Sequence, residues 1–371
     1  MLTDDIETRA LELGFAAAGV AAATPLIEHE RILAERIAAG LLAGLAYFTP
    51  ERARLAARPE ALLPGARAVL ALALPCPGAN VPAPPDRRHG CVAAYARGRD
   101  YHAVAKERLA RLVAYIQERV PGAACRAFVD ATPLLERAFA ARAGLGWFGK
   151  NNCLITPAYG SWVVLAEVIT TAPLAPDGPR AGDCGDCRAC LDACPTGALV
   201  APYTHRLERC LSYLTTELRG PIPTALRPLL GERVLGCDSC QSVCPRNAGA
   251  LPHDAPVPAD GLPAWLELPG LFALGEGEFK ARFGGTAAAR ARRAGLLRNA
   301  AVALGNLGDR DAVPALARAL VDPDAQVRGH AAWALGRLGG TRARAALADA
   351  LAAEADDGAR AELTQALAAS S

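Results

Sequence analysis

Two hydrophobic periodicities alternate along the first half of the chain. Over residues 4–18 apolar positions recur at helical spacing, with Ile6, Ala10, Leu13 and Ala17 on one face. A second helix is expected over 25–40. Ala66–Leu74, which follows a Pro-Gly turn, is apolar at nearly every position, so it predicts a strand buried on both faces. Residues 75–90, rich in Pro, Gly and Asn, read as a loop. Residues 101–119 return to helical spacing, with Leu109, Leu112, Val113 and Ile116 inward. Arg126–Val129 reads as a strand ending at Asp130, Leu134–Ala143 as the next helix, and Ser161–Ile169 as a further strand. Helices alternating with apolar strands predict an α/β or α+β domain over residues 1–175, its sheet covered on both sides.

The C-terminal part, residues 251–371, is a linker followed by a repeat. Ala300-Ala-Val-Ala-Leu-Gly-Asn-Leu-Gly308 recurs as Ala331-Ala-Trp-Ala-Leu-Gly-Arg-Leu-Gly339, and Ala315–Leu320 recurs as Ala346–Leu351, both at an offset of 31. Asp322-Pro323 marks a turn inside the unit. The pattern resembles HEAT-type repeats, in which helix pairs stack into a solenoid. So few copies are expected to lean on the preceding domain.

With 371 residues the chain has room for two or three domains. The net charge of +2 excludes a global field for nucleic acid, so any such role needs a local patch. No apolar run reaches the roughly 18–20 residues that span a bilayer. The N-terminal Met-Leu-Thr-Asp-Asp-Ile-Glu is acidic and lacks an export signal. A cytoplasmic monomer without membrane association is expected.

Twelve cysteines change the picture. Cys184, Cys187 and Cys190 follow at two-residue gaps, Cys194-Pro195 closes the run, and a second run reads Cys237, Cys240, Cys244-Pro245, with Cys210 between. This is the spacing of bacterial ferredoxins with two 4Fe–4S clusters, where the fourth cysteine of one run serves the other cluster. Cys184, Cys187, Cys190 and Cys244 are expected to hold one cluster, and Cys194, Cys210, Cys237 and Cys240 the other, in a ferredoxin-like domain over 176–250. Structural zinc rarely uses three cysteines at consecutive two-residue gaps, and disulfides suit exported chains. Cys76, Cys91, Cys125 and Cys153 read as buried thiols.

Clusters move single electrons, so other residues must make and break bonds. No Gly-x-Gly-x-x-Gly stretch follows a strand and no Walker loop is present. Asp100 opens a helix and reads first as its N-cap. Asp130, at the end of a strand, lies where ligands are often met, although a helix cap is the commoner role. His102 alone is more often a packing residue. Ala143-Gly-Leu-Gly-Trp-Phe-Gly-Lys-Asn-Asn152 carries three glycines, suited either to a large flat ligand or to a turn around Trp147. From Phe279 to Gly308 there is no acidic residue, while Lys280, Arg282, Arg290, Arg292, Arg293 and Arg298 are basic. Such a stretch suits phosphates or a solvated helix face.

Taken in order, these segments resemble the epoxyqueuosine reductase family over about residues 5–310. The likeness rests on Leu63-Pro-Gly-Ala-Arg67, Tyr95-Ala-Arg-Gly-Arg-Asp-Tyr-His102, Phe128-Val-Asp-Ala-Thr-Pro-Leu-Leu-Glu136, the Gly-Trp-Phe-Gly-Lys stretch, both cysteine runs, Arg209–Glu217 and Gly236–Cys240. Ala94, in place of an expected arginine, and Ala131-Thr132 depart from the family pattern. The resemblance implies an N-terminal cobalamin-binding domain, two 4Fe–4S clusters that generate cob(I)alamin, and a repeat domain that binds tRNA. The implied reaction reduces epoxyqueuosine to queuosine at the wobble position, fed by an external low-potential electron donor. It implies Asp130 as proton donor and Asp100 as a second carboxylate. Tyr101, His102, Gly146, Lys150, Asn151, Leu154, Ile155, Thr156, Ser212, Cys237 and Asp238 would contact cobalamin, and no side chain, His205 included, would coordinate cobalt. Lys280, Arg282, Arg290, Arg292, Arg293 and Arg298 would meet tRNA. Two other readings share parts of this pattern: a corrinoid reductive dehalogenase, and a ferredoxin fused to a binding scaffold.

Overall fold

The computed structural model describes residues 1–76, 81–130, 133–250 and 261–369. Part of the 75–90 loop and the Ala131-Thr132 pair lie outside the described residues. The chain forms two compact units, each built from separated segments. The first comprises Met1–Gly78, Tyr101–Glu208 and Ser239–Ala255, and the second Ala79–Asp100, Arg209–Asp238 and Pro256–Ser371. Each unit thus draws on stretches that are separated along the chain. The cysteine region is divided, with Cys210 and Cys237 in the second unit and the other six cysteines of the two runs in the first.

In the first unit a four-stranded sheet runs in the order β1 (Ala17–Ala22), β2 (Ala68–Pro75), β4 (Val163–Thr170), β3 (Cys125–Phe128). Every pairing is antiparallel, which makes the unit α+β. Even-numbered β2 residues Leu70 and Leu72 face one core with Ile6, Leu109, Leu112 and Ile116. Odd-numbered Val69, Ala71 and Ala73 face a second core with Phe128, Phe139 and Ile169. Burial on both faces explains why β2 has no polar alternation. Each fully buried Leu or Ile contributes about 1.5–3 kcal/mol.

Helix α1 (Leu2–Glu12) and helix α2 (Tyr101–Arg119) cover the first face, and α3 (Glu136–Arg142) packs on the second. The expected helix over 4–18 stops early because Ala17–Ala22 is strand β1. Its alanines favour helix, but Gly19 lets the strand pass so close to Ala143 that a Cβ would lie 2.3 Å from its carbonyl oxygen. Tertiary packing overrides local propensity there. The other expected helices and strands appear within a few residues of their expected limits.

In the second unit His89–Val92 lies between Arg233–Leu235, parallel to it, and Trp265–Glu267, antiparallel. Helices follow as α4 (Glu276–Phe283), α5 (Ala288–Leu307), α6 (Val313–Ala319), α7 (Ala325–Leu338), α8 (Thr341–Ala353) and α9 (Asp357–Ala369). The sheet residues Val92, Val234 and Leu266 share one core with Leu296, Leu304 and Leu335 of the helices. The repeat has a physical origin in two glycines at the 31-residue offset. A Cβ on Gly305 would stand 2.9 Å from the Cα of Ala334, and one on Gly336 would stand 2.9 Å from the Cα of Ala366. Each glycine lets successive long helices touch backbone to backbone.

Candidate active site and cluster segments

Strand β3 delivers Asp130 to a turn with φ of 53°, the left-handed region that aspartate tolerates better than most residues. The first turn of α2 brings two rings to it. The Tyr101 hydroxyl donates to Asp130 Oδ2, His102 Nε2 stands 3.6 Å from the same oxygen, and the two rings stack with centroids 4.1 Å apart. Tyr101, His102 and Asp130 thus meet. Asp100 is the last residue of its segment in the second unit, where its amide donates to the Gly285 carbonyl.

Two further carboxyls lie behind Asp130, and both escaped the sequence reading. Glu136 opens α3 and accepts a hydrogen bond from the backbone of Asp130. Burial first, and then the nearby Asp130 charge, push it up to about 8. Glu167 sits in the middle of β4, opposite Ala71 and Phe128, and is completely buried. Neither Glu167 oxygen has a hydrogen-bond partner among the described residues, and Glu136 Oε1 has none either. Desolvation, followed by the charges of Glu136 and Asp130, holds Glu167 far above the usual carboxylate range. The only signal for Glu167 in the sequence is a single acid inside an otherwise apolar strand.

Cys184, Cys187, Cys190 and Cys244 line a small common void of about 20 Å³ together with Ile155, Ala189 and Pro245. Among the described residues no three His, Cys, Asp or Glu side chains converge as on a single metal ion. The second cysteine run is pinned by Asn247, whose Nδ2 donates 2.9 Å to Ser161 Oγ and 2.8 Å to the Gln241 carbonyl. Cys194 and Cys240 pack beside Cys190, Leu191 and Leu199.

The glycine-rich stretch forms a small hairpin, Trp147–Phe148 against Leu154–Ile155. At Gly146 a Cβ would lie 2.1 Å from the Ile155 carbonyl oxygen, so the glycine closes the hairpin. Lys150 Nζ donates 3.0 Å to the Cys187 carbonyl, and Asn151 Nδ2 donates 3.5 Å to that of Cys240. These two side chains support the cysteine segments, a task the sequence did not assign to them. Leu154 and Ile155 are buried, and Thr156 Oγ1 donates 2.9 Å to the Gly160 carbonyl. In the second unit the Ser212 carbonyl accepts from the hydroxyls of Thr215 and Thr216. Asp238, next to Cys237, accepts from the Ala94 amide at 2.7 Å through Oδ2, while its buried Oδ1 has no partner among the described residues.

The basic stretch requires a correction. Arg298 is fully buried and donates to the carbonyls of Leu214, Leu218 and Gly220 at 2.7, 3.0 and 2.6 Å. Arg293 is also buried, ion-paired with Asp322 at 2.5 Å and bonded to the Leu274 carbonyl. Both are spent inside the unit and are withdrawn from the expected phosphate contacts. Arg290 is half-exposed but engages Glu217 through two bonds of 2.6 and 2.8 Å. Lys280, Arg282 and Arg292 are exposed. Arg292 sits at a break within α5, with φ 61° and ψ 168°. That region is nearly confined to glycine and costs on the order of 1–3 kcal/mol.

Comparison with known proteins places this geometry in a family. Residues 57–131 match the epoxyqueuosine reductase QueG family model, 183–247 a 4Fe-4S double cluster binding domain, and 286–368 HEAT repeats. The epoxyqueuosine reductase of Pseudomonas aeruginosa is 41% identical over 92% of this chain and 95% of its own length. A crystal structure of epoxyqueuosine reductase with an epoxyqueuosine-modified tRNA-Tyr stem loop superposes with a TM-score of 0.92 at 35% identity, covering 100% of this chain and 98% of the other. The Bacillus subtilis enzyme, described with its catalytic aspartate loop swung out of the active site, gives 0.91 at 34% identity, covering 99% and 98%. With identity of this order sustained over nearly the whole length, the chain belongs to the epoxyqueuosine reductases, a family of oxidoreductases.

Proposed function

We propose that this chain reduces the epoxide of epoxyqueuosine in tRNA to the alkene of queuosine, with Asp130 as the proton donor. The observation that carries this reading is Asp130 at a left-handed turn, held by Tyr101 and His102, in a chain of this family. Removing the epoxide oxygen as water takes two electrons and two protons, so a positioned acid beside that oxygen is required. Tyr101 and His102 would orient the Asp130 carboxyl, and Asp100 would serve as a second carboxylate.

Two 4Fe–4S clusters would relay electrons from an external low-potential donor. The void lined by Cys184, Cys187, Cys190 and Cys244 supports one set, since a cubane spreads its thiolates around a cluster rather than around one ion. Cys194, Cys210, Cys237 and Cys240 form the other set by spacing. The unpartnered Oδ1 of Asp238 is a buried acceptor suited to a group with amide N–H donors, as a corrin has. We therefore assign Asp238, with Tyr101, His102, Ser212 and the 146–156 hairpin, to cobalamin, which when bound supplies a strongly reducing cobalt. The protein's own residues hold it, direct the tRNA nucleoside and deliver the proton. Lys280, Arg282 and Arg292, with Arg290 in part, would contact tRNA phosphates. The protein would act as a cytoplasmic monomer; none of its described helices is long and apolar enough to cross a membrane.

The test is anaerobic turnover of epoxyqueuosine-containing tRNA by cluster-loaded protein with cobalamin and a chemical reductant, followed by nucleoside mass spectrometry. Queuosine should form with the wild type and not with Asp130→Asn, while cobalt and iron contents stay equal. Normal turnover by Asp130→Asn would remove Asp130 as the acid, and no queuosine from fully loaded wild type would reject the function.

A further inference from the structure

Cys210 and Cys237 lie in the second unit on two different segments. Cys210 immediately precedes the short helix Leu211–Thr216, and Cys237 follows the strand Arg233–Leu235 by way of Gly236. Two side chains bond both segments. Asn299, from α5, is fully buried, and its Nδ2 donates 2.8 Å to the Thr215 carbonyl and 2.9 Å to the Val234 carbonyl. Its Oδ1 accepts from Arg298 at 3.1 and 3.0 Å. A guanidinium only donates, so the amide has a single satisfied orientation, with its hydrogens toward the two carbonyls. Thr215, also fully buried, donates 2.7 Å to the Leu211 carbonyl and accepts 2.9 Å from the Gly236 amide. Gly236 has φ of 72°, and a Cβ there would lie 2.5 Å from that of Ala93. The backbone just before Cys237 is therefore confined by Ala93 and held by Thr215.

We infer that Thr215 and Asn299 are positioning residues for the second 4Fe–4S cluster, locking the segments that carry Cys210 and Cys237 into one register. The inference rests on the proposed assignment of these two cysteines to one cluster. A buried amide with arbitrary partners would serve packing alone. Here three bonds, made by residues far apart in the chain, all link the same two segments. Each is buried, where leaving a donor or acceptor unmatched carries its full desolvation penalty, so the register is strongly selected. Groups that orient a metal's ligands without touching the metal commonly change its affinity by roughly 10–100-fold. Because Asn299 belongs to a helix of the repeat region, that region is part of the cluster's support and not only a separate attachment.

Thr215→Val keeps the shape of the side chain and removes its hydroxyl, whereas Thr215→Ser keeps the hydroxyl. In cluster-loaded protein, the signal of the second cluster is first assigned as the one lost in Cys210→Ala. Under anaerobic challenge with an iron chelator, Thr215→Val should release the iron of that cluster at least about tenfold faster than wild type. The other cluster should keep the wild-type rate, and Thr215→Ser should stay near wild type for both. Electron paramagnetic resonance of reduced Thr215→Val should show a changed spectrum for the second cluster alone. Wild-type release and spectrum in Thr215→Val would overturn the inference. Equal acceleration of both clusters would overturn it too, by showing a general loosening of the fold. Asn299→Leu should reproduce the selective release, and if it fails to fold the Thr215 pair decides. A Cys210→Ala protein that keeps both clusters would instead remove the ligand assignment itself, so the two failures are distinguishable.

Discussion

Replacing Arg298 with methionine separates two roles that a count of basic residues cannot distinguish. The guanidinium is enclosed by main-chain oxygens of Leu214, Leu218 and Gly220 and by Asn299 Oδ1. Burial lowers it to about 10, still charged at neutral pH. Methionine keeps much of the apolar stem but removes the donor from the buried Leu214 carbonyl, at about 1–3 kcal/mol, and from the part-buried carbonyls of Leu218 and Gly220, at less each. Losing the desolvation cost of the cation offsets part of this, so a net loss of about 3–5 kcal/mol is expected. For a unit of this size that lowers the melting midpoint by on the order of 10 °C. The assay is a thermal melt of the cluster-loaded protein, paired with tRNA affinity measured over a range of salt concentrations. The slope of log K against log salt should be unchanged for the folded fraction. A wild-type melt together with a slope reduced by about one would identify a phosphate contact and refute the reasoning.

The companion substitution Arg292→Glu should do the reverse, leaving the melt near wild type and reducing the salt slope by about one; an unchanged slope would count against the patch. Cys194→Ala should damage the cluster that uses Cys237 and spare the one that uses Cys187, as read by electron paramagnetic resonance of the reduced protein. Loss of the Cys187 cluster alone would overturn the exchange of fourth ligands between the two runs. Glu354 is lowered from 4.5 to about 2, chiefly by Arg328, which bonds both its oxygens at 2.7 Å. A depressed carboxylate stabilises the fold above its unfolded value and loses that contribution as pH falls. Stability of the repeat helices should therefore drop between about pH 4.5 and 2, and Glu354→Gln should flatten this segment of a pH-dependent melt.

The legible parts of the fold are those where one physical rule acts alone. Strand β2 could be recognised because both its faces are buried, and helix α2 because one face is. The two repeat glycines left a visible period because each sits at an equivalent helix contact. Strand β1 was missed because its alanines speak for helix while the packing of Gly19 against Ala143 decides otherwise. Asp130, Tyr101 and His102 were found through a motif and proved to be neighbours. Glu167 was not, since a lone acid in an apolar strand has no sequence signature that separates it from a surface residue. Arg293 and Arg298 show the same limit from the other side: charge is written in the sequence, but the carbonyls and the Asp322 that consume it come from distant segments.

The interleaving of the two units has a consequence for how the protein is made. Cys184, Cys187 and Cys190 leave the ribosome well before Cys244, which follows about sixty residues later, a delay of roughly 3–12 s at common translation rates. On the proposed ligand set, the first three thiols have no fourth partner during that interval. The first unit is also incomplete until its last segment, Ser239–Ala255, has been synthesised. On the proposed ligand set, cluster delivery would act on a nearly finished chain, and a nascent chain stalled between residues 190 and 244 would carry several thiols before the first unit is complete.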